Sequence, residues 1–565
     1  MLTEEEPVLE PAWYAGIFTC VVVCLPWVSS ILQDRILGQD ERIGDRANSL
    51  WLHFYAASEW SVTDSFGKVD NLMYPVGIDL WSELFNVLDA FVAMPLVWMF
   101  GWGRHYNILI VLLSVFAVWG GRMWASRFSD DANVAWLAGL LFAGGTSMLY
   151  AVEFGRVVQV GIGVIPLGLW SLHQLRNEGT WKHGVLAGLA VGLAGSWYLY
   201  WGYGLVLCAI LLCPWRRALK EIGWWLFAIV GALLLWWNVS HLDMAYIESE
   251  ASGQGAFPPL SQAFSPEYFD TAGAVIEGAL PIGWFGVSSI HSISILLIGL
   301  AFLGRRKERL TEGWLLSLGL VLFSVLGMGP YLVSDMGLFR INGHVIQNPL
   351  YLWLYEHMPL VSRMHWLHRW LPFLGALVLP WSIKGLMQMG RMMWVVPLIL
   401  VGEWGWKGHF TVSSTPSIES TCYAGLMYPD KPILLLPFSH SSRAAVFQPI
   451  HKHPIVNPIG VSYEASRWPE SYQEFLQKPI YQWAIKSDIA IKDLSPTPRI
   501  MRSAQAEGLS HIVYHKDYLQ DALHDPSAPM QLTVDDSSRI ESITTVFGAS
   551  HCSDEHIVVW TVQPL

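Results

Sequence analysis

Three short clusters hold the residues best equipped for chemistry. Asp45 lies in Ile43-Gly44-Asp45-Arg46, just ahead of the aromatic-rich run Trp51-Leu52-His53-Phe54-Tyr55. Aromatic rings of this kind settle at a membrane interface, and a carboxylate held there is suited to accepting a proton from a hydroxyl group. The competing reading is that Asp45 caps a helix beginning at Arg46. Glu153-Phe154-Gly155-Arg156, with Gln159 one turn later, either sets an acid and a base at the rim of a cavity or pairs them with each other. Arg363-Met364-His365-Trp366-Leu367-His368-Arg369 places two Arg and two His at a helix entrance. That donor-rich cationic patch clamps a phosphate or pyrophosphate head group, or anchors anionic lipid. Under both readings its partner is a phosphate.

Signatures of soluble enzymes are missing from the sequence: there is no GxxxxGK loop, no HExxH and no CxxC. His451-Lys452-His453 offers two metal-type ligands without a third and reads as a surface strand or loop. No cofactor is therefore expected, a divalent metal stays open without support from these motifs, and no nucleic-acid partner is expected.

The elements that must position these clusters are membrane helices. Only 14% of the chain is charged, 53% is hydrophobic and there are 31 Trp, a composition that makes lipid its main solvent. The net charge of -12 comes from acids concentrated in loops and says little about partners. The apolar stretch 12–32 follows an acidic N-terminus with no basic region or cleavage site and reads as a retained first span. Further spans are expected near 106–126, 132–151, 157–174, 182–197, 199–213, 221–240, 283–303, 312–332, 366–386 and 390–406. Basic residues fall in alternate linkers: Arg122/Arg127, Arg176/Lys182, Arg216/Arg217/Lys220, Arg305/Arg306/Lys307/Arg309 and Lys384/Arg391. The linker from His241 to Ile282 has six acids and no Lys or Arg. With a cytoplasmic N-terminus this alternation requires 82–102, which carries Glu83, Asp89 and Pro95, to lie along the interface as an amphipathic or re-entrant helix. The result is a polytopic α-helical membrane region over 1–406, with about 11 transmembrane helices and a long interfacial first external loop at 33–105.

Beyond 406 the apolar runs shorten. Strands are expected at Ile433–Leu436, Ile512–Tyr514 and His556–Val562, and helices at Glu474–Ala484 and Tyr518–Leu523, giving an external soluble α/β or α+β domain over 407–565. Cys422 and Cys552 sit at its two ends and are placed to form a disulfide if it faces an oxidising compartment; the other four Cys read as apolar packing.

The order of these features resembles the GT-C glycosyltransferases of membranes. It is most similar to bacterial members that read Gly-Asp before an aromatic helix, then Tyr-Pro-x-Gly, an Arg-rich helix entrance and an external domain. Here these are Gly44-Asp45, Tyr74-Pro75-Val76-Gly77, Arg363 to Arg369, and Ile433 to Phe438 followed by Gln448-Pro449-Ile450-His451 and Pro454-Ile455. The resemblance implies transfer of a sugar from a polyprenyl-phosphate carrier to a glycan, lipid or protein acceptor on the external face of a bacterial inner membrane. It makes Asp45 the general base and Arg363 or Arg369 the lipid-phosphate ligand. His365, His368, Glu153, Arg156, Gln159 and Tyr74 are expected around the substrate. The alternative is a membrane subunit that keeps the scaffold and binds lipid-linked glycans, or scaffolds a surface complex, without catalysis.

Overall fold

The computed structural model describes residues 12–32, 35–37, 43–58, 68–79, 88–101, 103–153, 155–240, 294–307, 313–327, 331, 333–334, 337–338, 340–357, 367–406, 414–416, 421–426, 428, 430–436, 438, 448–457, 470–489, 497–516, 536–554 and 557–563. Arg363, His365, the whole stretch 241–293 and the expected helix Tyr518–Leu523 lie outside them.

Apolar helices build the first 406 residues. In chain order the described ones longer than one turn are α1 (Ala12–Leu32), α2 (Ile43–Ser58), α3 (Leu88–Phe100), α4 (Arg104–Ala125), α5 (Ala132–Ala143), α6 (Thr146–Glu153), α7 (Val164–Glu178), α8 (Trp181–Trp197), α9 (Leu199–Leu212), α10 (Ile222–Ser240), α11 (Ile295–Lys307), α12 (Gly313–Gly327), α13 (Pro349–His357), α14 (Leu371–Met389) and α15 (Val396–Trp406). Two helical runs, Arg104–Ala125 and Leu371–Trp406, are long and apolar enough to cross a bilayer; most of the others are shorter apolar helices. Their outward faces carry Trp98, Leu233, Trp236, Phe302 and Leu398, each at least 62% exposed. Apolar residues pointing outward on helix after helix mark a membrane protein whose outer surface meets lipid.

Helix contacts follow the rule for lipid, where close backbone approach replaces the hydrophobic drive. A Cβ on Gly139 of α5 would sit 2.2 Å from the Val118 carbonyl of α4, and one on Gly184 of α8 would sit 2.0 Å from the Gly223 carbonyl of α10. Expected spans are also interrupted. The 132–151 stretch breaks between α5 and α6, and 157–174 breaks between Val160 and Val164, whereas the separate spans 182–197 and 199–213 appear as α8 and α9, divided at Tyr198, whose extended backbone (φ -159°, ψ 113°) serves both helices as a cap.

α3 has 13 residues, so it rises about 20 Å, less than the ~30 Å hydrocarbon core. Apart from Asp89 its residues are apolar, and Val92, Trp98, Met99 and Phe100 are exposed. The amphipathic face expected over 82–102 is therefore missing from its described part. Trp98 Nε1 ties α3 to the Ala57 carbonyl of α2 (2.8 Å).

In the first loop β1 (Arg35–Leu37) precedes α2, and β2 (Lys68–Val69) and β3 (Ile78–Asp79) follow it. β1 pairs antiparallel with β4 (Ser414–Pro416), just beyond the last helix of the bundle. The C-terminal region holds a four-stranded sheet of β5 (Ile433–Leu436), β6 (His511–His515), β7 (Cys552–Ser553) and β8 (Ile557–Thr561), in the order β7-β8-β6-β5. β6 is parallel to β5, as Ile512↔Leu434 shows, and antiparallel to β8, with Val513 opposite Val559. Between β5 and β6 the chain forms helices at Gln448–His451, Glu470–Phe475, Pro479–Ile489 and Pro498–Ala506, the helical crossover a parallel pair requires. The expected helix Glu474–Ala484 is two helices, with Leu476–Lys478 between them.

Side chains alternate across a strand, and here both faces are buried. Leu434, Leu436, Ile512, Tyr514, Val558 and Trp560 pack with Tyr472, Ile480, Trp483 and Phe547 from the helices of the region. Ile433, Leu435, Val513, Ile557 and Val559 pack with Trp51, Leu52 and Ala56 of α2 and with Leu72 and Ala90. This two-sided burial accounts for the unbroken apolar runs of β5 and β8. It also means that the first loop and the C-terminal region share one core across the 406/407 boundary. Cys422 and Cys552 form a disulfide across 130 residues.

Candidate active site

α2 carries Asp45 in its first turn. The helix begins at Ile43 rather than Arg46, so Asp45 lies inside the turn, where the helix dipole still favours a carboxylate. Its side chain lies outside the described residues, but the helix around it is firmly held. Trp51, Leu52 and Ala56 face the sheet, Trp51 stacks on Tyr55 with centroids 5.1 Å apart, and Trp51 Nε1 donates to Gln448 Oε1 (3.2 Å). Leu50 turns to the membrane bundle instead. α2 is thus wedged between bundle and sheet.

The second cluster is anchored at the same end of the bundle. Glu153 ends α6, with its side chain outside the described residues, and Gly155 takes a positive φ of 66°. Tyr106, in the first turn of α4, donates its hydroxyl to the Gly155 carbonyl (2.8 Å). The Arg156 amide donates to Ala151 (2.7 Å) and the Gln159 amide to Arg156 (2.8 Å), while Trp197 at the end of α8 donates to the Val158 carbonyl (2.7 Å). These bonds bury Arg156 and leave Gln159 half-buried.

At the third cluster a 3₁₀ turn, Leu367–Trp370, leads into α14. The guanidinium of Arg369 lies over Tyr198 (5.2 Å to the centroid) and Tyr200 (5.3 Å), which stack on each other at 5.2 Å. Trp370 meets Tyr200 edge-on at 5.5 Å. The break between α8 and α9 thus supplies an aromatic cradle for one arginine, a cation-π arrangement that fixes the position of its charge. Sequence reasoning treated Trp197–Tyr200 as a spacer between short spans. The available signal was two tyrosines at i and i+2 across a helix break. The side chain of His368 lies outside the described residues.

Tyr74 is held elsewhere. It follows Met73 (φ 50°), precedes a cis Tyr74–Pro75 bond, and donates its amide to the Ile455 carbonyl (3.0 Å) of the C-terminal region. Asp45, Arg156, Gln159 and Arg369 therefore belong to segments at the end of the bundle that bears the sheet, and Tyr74 to the joint between first loop and sheet. The opposite end gathers basic residues: Arg176 donates to the Leu212 carbonyl (2.6 Å), and Arg217 to the Asn177 carbonyl (3.2 Å) and to Glu221.

The surface reading of His451 and His453 is overturned, because both rings are buried. They join a cluster with His511 and His515: centroids are 5.6 Å apart for His451–His453 and 5.7 Å for His453–His511, and Tyr423 stacks on His451 at 5.1 Å. Apolar neighbours on β5 and the short helix Gln448–His451 drew the rings inward. Among the described residues no group of three His, Cys, Asp or Glu is placed to hold a metal. His451 Nδ1 accepts the His453 amide (3.0 Å), so its single proton resides on Nε2. Burial, reinforced by the neighbouring histidines, holds His451 well below the usual imidazole range and lowers His511 to about 4. Depressed values cost stability only when the unfolded chain takes up protons that the folded one refuses. The contribution of these histidines to stability is therefore constant above pH ~6.5 and falls as pH drops from there toward 4, with His511 alone accounting for about 2–3 kcal/mol. Urea midpoints across that range check this, and a His511→Asn variant with an undiminished slope would refute the assignment.

No family model matches the chain, and no curated protein sequence does. Among solved structures, the arabinofuranosyltransferase AftD from Mycobacteria superposes with a TM-score of 0.54 at 13% identity, covering 98% of this chain and 40% of its own. The chain has the GT-C fold. Two more GT-C structures are similar at lower scores. The Archaeoglobus fulgidus oligosaccharyltransferase in complex with Zn and sulfate gives 0.47 at 10% identity over 91% of this chain and 70% of that one. ArnT from Cupriavidus metallidurans bound to undecaprenyl phosphate gives 0.49 at 12% identity over 98% of both. Spanning under half of AftD, this chain shares the GT-C architecture with it, and the shared architecture alone does not carry an activity across.

Proposed function

We propose that the chain is a GT-C glycosyltransferase of a bacterial inner membrane, moving a sugar from a polyprenyl-phosphate carrier to a hydroxyl-bearing acceptor. The observation that carries this reading is the gathering of α2, the Gly155–Gln159 turn, the Arg369 cradle and the C-terminal sheet at one end of the bundle, with basic linkers at the other. By the positive-inside rule the basic end is cytoplasmic, which puts the candidate residues and the sheet outside. It also favours α3 lying at the interface and a bundle of about eleven spans.

In this mechanism the lipid phosphate is received by Arg369, assisted by Arg363, His365 and His368 on the same entrance. Asp45 takes the acceptor's proton as its oxygen attacks the anomeric carbon and the carrier phosphate leaves with the bonding pair, inverting that centre. Glu153, Arg156 and Gln159 contact the sugar, and Tyr74 lies near the joint that holds the acceptor side.

Undecaprenyl phosphate added to the purified chain tests the phosphate role. Arg369→Ala is expected to weaken its binding about 10- to 100-fold, the worth of one charge-assisted contact, with binding of the neutral undecaprenol unchanged. Equal loss for both lipids would assign Arg369 to packing instead.

A further inference from the structure

Outside the residues already assigned, one buried polar group stands out. His53 of α2, Asp89 of α3 and His105 of α4 are each no more than 1% exposed. His53 Nε2 lies 3.3 Å from Asp89 Oδ2, His53 Nδ1 lies 3.4 Å from His105 Nε2, and His105 Nδ1 lies 3.1 Å from the Gly101 carbonyl. Asp89 Oδ1 accepts the Ala90 amide (2.9 Å). Three helices thus meet on a line of two imidazoles and a carboxylate.

The line fixes a proton count without any choice of tautomer. A carbonyl only accepts, so His105 Nδ1 carries a proton; one more must lie between the two rings and a third between His53 and Asp89. Two neutral imidazoles bring two protons. The third offsets the carboxylate, and without it a bare anion would be buried among apolar helices at large cost. Among the described residues, other ionisable groups nearby are few. Tyr106 has its ring 6.4 Å from that of His53 and its hydroxyl on Gly155, Arg104 is exposed, and α3 has no second ionisable residue.

We infer that His53, Asp89 and His105 form a proton-holding clamp that positions α2, and with it Asp45, against the first turn of α4. His53 sits about 12 Å along the helix from Asp45, and the neighbouring Tyr106 holds the Gly155–Gln159 turn, so one turn of α4 sets the spacing of both segments. The clamp rests on the reading that Asp45 belongs to the site. Its residues act by positioning and do not touch substrate. Removing the third proton leaves one bond without hydrogen and the carboxylate unbalanced, so α2 loosens as pH rises.

Hydrogen exchange of the Ser49–Ala56 amides tests this on the full chain in nanodiscs, with rates corrected for intrinsic pH dependence. Protection in the unsubstituted chain is expected to fall at least tenfold between pH 6 and pH 10. Asp89→Asn, whose amide N–H supplies the third hydrogen at every pH, should match the unsubstituted chain at pH 6 and keep its protection at pH 10. The paired apolar replacement His53→Phe with Asp89→Leu, which removes both proton and charge, should likewise show no fall between pH 6 and pH 10, which simple loss of packing would not produce. A flat profile in the unsubstituted chain, or coincident profiles for it and Asp89→Asn, overturns the proposal. If the exchange results hold while Asp45→Asn retains transfer activity, the transferase reading of Asp45 fails and the clamp stands.

Discussion

Asp45→Asn is expected to lower sugar transfer by about 10²- to 10⁴-fold, the usual worth of a positioned general base, with no change in thermal midpoint. The amide has the size and shape of the carboxylate, so only proton acceptance and one negative charge are lost. The fold has little stake in that charge, because α2 is held from Leu50 onward: Trp51, Leu52 and Ala56 pack on the sheet, and Gln448 and Trp98 anchor the helix by hydrogen bonds to Trp51 and Ala57. A carboxylate in the first turn gains at most about 1 kcal/mol from the helix dipole, too little to unfold so embedded a helix. Lipid-carrier binding should persist, which separates loss of chemistry from loss of substrate. Full activity in Asp45→Asn would remove this residue from the mechanism.

Cys422→Ser is expected to cost the C-terminal region about 3–5 kcal/mol, since the bond closes a segment of 130 residues. Position adds to the effect. Cys422 is in the short helix Thr421–Ala424, whose Tyr423 stacks on His451 and bonds His515 (2.8 Å), while Cys552 lies on β7, at the edge of the sheet. Asp554 reinforces the junction by accepting the Ile557 amide (2.9 Å). Loss of the crosslink frees the edge strand from the helix that covers the histidine cluster. A urea midpoint that is the same for Cys422→Ser and the parent, with and without reductant, would show that the bond contributes nothing.

What was legible in the sequence was local. Ile433–Leu436 and Ile557–Thr561 announced themselves as buried strands because each is an unbroken apolar run, and the paired Cys at the ends of a polar region suggested their bond. The membrane helices were readable from length and apolarity, although a hydropathy window cannot see a break such as Gly144–Gly145, which arises from backbone geometry. Of the candidate site, Arg369 was named but its tyrosine cradle was not, because Tyr198 and Arg369 are far apart in sequence. The histidines failed for a related reason: His453 and His511 meet only when β5 and β6 pair in parallel, and His53 reaches Asp89 only when α2 and α3 pack. Polar residues that find one another across the fold leave no periodic trace.

The β1–β4 ribbon has a consequence for biosynthesis. It joins the segment that follows the first helix to the one that follows the last, with Leu37 opposite Ser414. Roughly 380 residues separate the two partners, which at roughly 5–20 residues per second delays their meeting by about 20–75 s. Through that interval α2 has no sheet to rest on, so the newborn chain inserts most of its helices with its first loop unfinished. Strands made long after α2 thus complete the seat of the helix that carries Asp45.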